Sequence, residues 1–212
     1  MTESIFSLTF RSLYISSGAS ILAFISATLL SLIASQMARR KAEMILSLFE
    51  SLVGVPTTVI GLLVYMLLFP RGPLGSLRIL YTPYAIIIGE FAVALPIAFT
   101  TMFRHFYNLR DSIRELVLSL GGLEKHASGL LLRELAPILV SSYLTSFSRA
   151  IGELGVALIV GGGIEGYTNV LTTAIAIQTS IGNYEYAIWI GLILVLITMA
   201  ITFAVKIAGE YV

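Results

Sequence analysis

The sequence predicts an all-α membrane protein, a single domain over residues 1–212 with about five transmembrane helices. Three observations carry this expectation. First, 57% of the residues are hydrophobic and only 12% are charged, against about 25% charged in an ordinary soluble domain. With a mean hydropathy of +0.94, a soluble core cannot absorb so much apolar surface. Second, the apolar residues gather into long runs, and a helix needs about 20 of them to cross the hydrocarbon layer. Third, one polar segment of the chain, residues 104–136, interrupts the pattern and carries a dense set of charges.

The first span is placed at residues 12–38, which contain no Asp, Glu, Lys or Arg. The run exceeds the ~7–15 apolar residues of a cleaved signal and no Ala-x-Ala site follows, so it is read as a retained span. The second covers 44–69, with an uncharged stretch from 51 to 70. Gly54, Pro56 and Gly61 predict a kink there, since proline removes a backbone hydrogen bond. Freed carbonyls and the Thr57 and Thr58 hydroxyls can line a path where a helix is irregular; a plain packing kink is the other reading. The third span, 79–103, holds a single charged residue, Glu90, which is expected to be paired or protonated.

The fourth span, 137–160, contains Arg149 and Glu153. Four residues apart, they share a helical face and can pair. One reading is a self-neutralised pair that holds helices together. The other offers Arg149 to a passing anion, because its fork donates two parallel hydrogen bonds, with Glu153 holding it in place. Gly152 and Gly155 are read as allowing close helix packing. The stretch after this span includes Val170-Leu171-Thr172-Thr173-Ala174-Ile175-Ala176-Ile177, too short to cross. It is either an external surface helix or a re-entrant one embedded in protein. The fifth span is 186–205, uncharged throughout.

Basic residues set the orientation. Nine of the 13 Lys and Arg fall on one side: Arg39, Arg40, Lys41, Arg104, Arg110, Arg114, Lys125, Arg133 and Lys206. Arg11, Arg71 and Arg78 fall on the other, and Arg149 lies within a span. The nine-residue side is expected to be cytoplasmic, which places the N-terminus outside, the C-terminus inside, and the 104–136 loop in the cytoplasm.

Within that loop, Ile113, Leu116, Val117 and Leu120 recur at i, i+3, i+4, i+7, the spacing of an apolar helical stripe. Gly121-Gly122 is suited to end that helix, because glycine accepts the left-handed conformation. Residues 123–135 can form a second helix leading to Pro137. A short amphipathic helix of this kind either lies on a bilayer or fills a partner's groove.

The motif Arg114-Glu115-Leu116-Val117-Leu118-Ser119-Leu120-Gly121-Gly122, with its glutamate six residues before a glycine and Pro137 following, resembles the cytoplasmic "EAA" loop of ABC-importer permeases. Leu116-Val117 stand where that loop usually has small residues, and the distance from Glu115 to Pro137 is longer than in most permeases. The chain looks most like the oxyanion branch, and within it the tungstate-type subunits. Arg149-Ala150-Ile151-Gly152-Glu153-Leu154-Gly155, Val160-Gly161-Gly162-Gly163-Ile164 and Gly54-Val55-Pro56-Thr57-Thr58 carry that likeness. The resemblance implies a type I importer permease fold in the cell membrane. It implies a homodimer, two copies of a separate ATPase subunit, and an extracytoplasmic oxyanion-binding protein. It further implies that Glu115, Leu116, Leu120, Gly121 and Gly122 couple to the ATPase. Pro56, Thr57, Thr58, Gly61, Arg149 and Glu153 are the candidates for the translocation pathway. The expected substrate is tungstate, then molybdate, then sulfate or another small anion.

Other classes find less support. No lysine stands in a Gly-Lys-Ser/Thr P-loop, and neither His-Glu-x-x-His nor Gly-x-Ser-x-Gly occurs. No catalytic residue, metal site or cofactor is expected; His105 and His126 read as surface residues. The net charge of +1 gives no sign of a nucleic-acid partner, and the absence of cysteine excludes disulfides. An ATPase-independent carrier is the alternative, although the odd span number and lack of inverted repeats argue against common carrier designs.

Overall fold

The computed structural model describes residues 3–210. Helix α1 (Ile5–Ser35) turns mostly small residues inward and large apolar ones outward. Its buried face is mostly Ser12, Ser16, Ala19, Ser20, Ala23, Ala27 and Ser31, with Leu8 and Ile15 near its start, while Phe6, Phe10, Ile25, Leu29 and Ile33 point outward. Lipid tails are as apolar as leucine, so large side chains gain nothing by turning inward, whereas small ones let helix backbones approach closely. The face of small residues packs mainly on α4 (Pro83–Ser119).

The kink expected in the second span is a full corner. Helices α2 (Arg39–Val53) and α3 (Thr57–Leu68) meet at 99°. Pro56 has no N–H to extend α2, and it disfavours a helical conformation at Val55 before it. Pro56 instead becomes the first residue before α3, its carbonyl accepting from Val59 N at 2.9 Å.

Helix α4 continues well past residue 103 to Ser119, so the first half of the 104–136 segment is an extension of the third span. Helix α5 (Glu124–Glu134) follows, and then α6 (Ala136–Ile151), bent 60° from it. The run expected as one span over 137–160 divides into α6 and a short α7 (Gly155–Gly161). Helices α8 (Leu171–Ser180) and α9 (Tyr184–Glu210) complete the chain. By length and composition, α1, α4 and α9 can each cross a membrane, and the described residues provide up to five crossings if the bent pairs α2–α3 and α5–α6 each count as one.

Two apolar clusters fix these elements. Phe99, Phe103, Phe106, Ile113 and Val117 of α4 pack with Ala127, Leu131 and Leu135 at one end. Val156, Ala157 and Val160 of α7 pack with Val64, Leu68, Ile86 and Val93 at the other. A third and smaller one joins Leu8 of α1 to Leu171 and Ala174 of α8 and Ile190 of α9. The first turn of α8 is wholly buried, which embeds that end of the helix in protein.

Candidate functional site

The tip between α4 and α5 divides the expected apolar stripe in two. Ile113 and Val117 are buried against α5, whereas Leu116 is 53% and Leu120 79% exposed. Leu118 and Leu123 are exposed beside them. The tip is shaped by a Schellman turn: Gly122 N donates to the Val117 carbonyl at 2.8 Å and Gly121 N to the Leu118 carbonyl at 3.0 Å. Gly121 adopts φ +76°, a region where a side chain is strained. Gly122 is held by proximity, since a Cβ there would lie 2.5 Å from Val117 Cγ1 and 2.9 Å from the Val117 oxygen. The next helix starts with His126 Nδ1 accepting from Leu123 N at 3.1 Å. Glu115 is exposed on the same tip. The arrangement presents a knob with four exposed leucines, Leu116, Leu118, Leu120 and Leu123.

A second cluster lies at the break between α6 and α7. Arg149 Nη1 donates to Glu153 Oε2 at 2.8 Å; the arginine side chain is 40% exposed and the glutamate 2%. Glu153 Oε1 accepts from Val156 N at 3.3 Å, so the same carboxylate caps the first turn of α7. Its backbone carbonyl accepts from Thr172 Oγ1 of α8 at 3.0 Å. Glu153 therefore ties three helices, which the i,i+4 spacing alone does not reveal. Arg149 retains solvent access on its far side.

Pro56, Thr57 and Thr58 stand where α3 begins. A Cβ on Gly155 would meet Thr58 Cγ2 at 3.0 Å and Thr57 Oγ1 at 3.1 Å, so the start of α3 abuts the start of α7. Gly61 faces the α7 backbone, with a Cβ there only 3.1 Å from Val156 Cα. Gly61 is buried in that contact.

Sequence reasoning did not find the serine face of α1. Ser16 of that face and Glu90 of α4 are both buried, and Oε2 of Glu90 has no partner among the described residues. Ser12 Oγ accepts from Leu171 N at 2.8 Å and so satisfies the buried start of α8. The signal was present as a small residue every fourth position, Ser12, Ser16 and Ser20.

No family model matches the chain. It is 36% identical over 197 residues to the tungstate uptake system permease protein TupB of Peptoclostridium acidaminophilum, covering 93% of this chain and 86% of that protein. A probable anion ABC transporter permease protein of Haloferax volcanii is 32% identical over 75% of this chain and 71% of its own length. Among solved structures, an amino acid ABC transporter crystallised with histidines superposes with a TM-score of 0.67 at 14% identity, covering 98% of this chain and 94% of that one. That likeness establishes the fold, an all-α permease bundle. With this identity to the curated relatives over 93% and 75% of its length, the chain belongs to the ABC-transporter permease family, in the branch that includes the tungstate uptake permeases.

Proposed function

We propose that this chain is the multi-pass membrane subunit of an ATP-driven importer for a tetrahedral oxyanion, tungstate before molybdate. The observation that carries the reading is the 36% identity, over 93% of the chain, to a permease of a tungstate uptake system. ATP hydrolysis in ABC systems resides on a separate subunit. Two copies of the permease pair around a central path, two ATPase subunits engage the α4–α5 tips, and an extracytoplasmic binding protein delivers the oxyanion from the opposite side. The exposed Leu116 and Leu120 support the docking role, at about 25 cal/mol for each Å² of apolar surface removed from water. The nine-to-three bias of basic residues supports an N-terminus outside and a C-terminus in the cytoplasm. Arg149, half-exposed beside the α6–α7 break, is the cation offered to the passing anion, and Pro56, Thr57 and Thr58 border the path where α3 begins.

Uptake by vesicles containing the permease and its ATPase, supplied with the binding protein, tests this reading. Tungstate and molybdate accumulation that requires ATP is the expected result. Accumulation without the ATPase would make the chain a carrier, and a preference for sulfate would reassign the substrate.

A further inference from the structure

The end of α1, the C-terminal half of α4 and helix α5 line an open cavity of about 450 Å³, within the ~300–1,000 Å³ of small-ligand sites. Its walls carry Arg110, Arg114 and Lys125, with Gln36 and Ser128 between them. Among the described residues that line it, none is acidic. Arg110 is held in place, its Nη1 donating to the Ser35 carbonyl at the C-terminal end of α1. Its Nε lies 3.6 Å from Asp111, whose side chain is largely in solvent and so screens the arginine only weakly. Lys125 is exposed at the cavity mouth. Guanidinium and ammonium groups converging on one concavity select an anion, and the arginine fork suits phosphate geometry.

The surface leading into the cavity identifies how that anion arrives. Ile25, Leu29 and Ile33 form an exposed apolar stripe along α1, each one turn from the next. Leu32 and Gln36, at the end of that stripe, already belong to the cavity wall. In a membrane protein such a stripe faces acyl chains, and the first polar and basic groups beyond it lie at the headgroup level. We propose that the cavity seats the phosphate of an anionic phospholipid of the adjoining leaflet, with Arg110 and Lys125 as its cationic partners and an acyl chain along Ile25, Leu29 and Ile33. Because one wall of the cavity is α5, the lipid braces the α4–α5 tip against α1.

The test uses the permease–ATPase complex in nanodiscs of phosphatidylcholine mixed with phosphatidylglycerol, followed by native mass spectrometry of the lipid retained. Preferential retention of phosphatidylglycerol is expected. Lys125→Gln lowers that retention about fivefold, the weight of one basic residue near an anionic membrane surface, while Lys125→Arg preserves it. The double variant Arg110→Gln/Lys125→Gln abolishes the preference. Equal retention by wild type and Lys125→Gln would overturn the proposal. So would ready displacement of the lipid by inorganic phosphate, which would assign the cavity to a free oxyanion. Should the double variant fail to assemble, the exposed Lys125→Gln change decides the matter alone.

Discussion

Glu153 holds Arg149 at 2.8 Å with one carboxylate oxygen and caps Val156 N at 3.3 Å with the other. The ion pair and the start of α7 therefore share one side chain, and removing either partner alone has unequal consequences. Loss of Glu153 unfastens the α6–α7 break. Loss of Arg149 strands a buried carboxylate, which costs between the ~1 kcal/mol of an exposed pair and the ~3–5 kcal/mol of a buried one.

This separates structure from transport. Arg149→Leu is expected to lower both stability and tungstate uptake. In Arg149→Leu/Glu153→Gln the glutamine oxygen still accepts from Val156 N, with no charge left unpaired. The double variant is expected to regain thermal stability in detergent while uptake stays low. Full uptake by a correctly assembled double variant would show that Arg149 has no direct part in moving the anion.

At the α4–α5 tip, three changes act by different means. Leu120→Asp alters a side chain that is 79% exposed, so the fold is expected to survive while co-purification with the ATPase weakens. Gly121→Val forces a β-branched residue into φ +76° and is expected to cost about 1–2 kcal/mol, although nothing lies within 4 Å of the new Cβ. Gly121→Asn, which tolerates the left-handed region, is expected to retain uptake. Wild-type assembly and uptake in both Leu120→Asp and Gly121→Val would remove the coupling role from this tip.

The parts of the fold legible in the sequence were those written in single residue types. Uncharged runs marked α1 and α9, Gly54 and Pro56 marked the α2–α3 corner, and Gly121-Gly122 marked the turn at the tip. The Arg149–Glu153 pair was legible from its spacing. What escaped was set by tertiary contact. The stripe Ile113, Leu116, Val117, Leu120 reads as one face, yet α5 takes Ile113 and Val117 and leaves the two leucines out. The break at 152–154 escaped because the carboxylate that caps α7 lies inside an apparently continuous apolar run. Gly61 was considered for the pathway as part of the kink in the second span, and its close approach to the α7 backbone is a tertiary contact that the sequence does not show.

The orientation is open to a labelling test in this cysteine-free chain. Ser76, Ser128 and Ser180 are all exposed in the fold, so a cysteine at each is reachable by reagent unless the bilayer or a partner intervenes. A membrane-impermeant maleimide applied to intact cells is expected to label Ser76→Cys and to spare Ser128→Cys until the cells are opened. Labelling of Ser128→Cys from outside would invert the topology. Ser180→Cys reports on the end of α8, and its labelling from outside is expected if the re-entrant helix returns to the external face.

Val156 of α7 is clasped between two glycines on different helices. A Cβ on Gly89 of α4 would fall 2.1 Å from Val156 Cγ1, and one on Gly61 of α3 would fall 3.1 Å from Val156 Cα. The two contacts differ in what must yield. At Gly89 the obstacle is a side-chain methyl, which a smaller residue at 156 removes. At Gly61 it is backbone, which no substitution at 156 removes. Gly89→Ala is therefore expected to destabilise the bundle by about 1–3 kcal/mol through overpacking, and Val156→Ala alone to destabilise it by leaving a gap. Combined, the added methyl at 89 occupies space vacated at 156, and the pair is expected to recover much of the loss. Gly61→Ala is expected to gain no such relief from Val156→Ala. Thermal melts of the three single and two double variants in detergent measure both couplings. Additive effects for Gly89→Ala with Val156→Ala would mean that α4 and α7 do not meet at these residues.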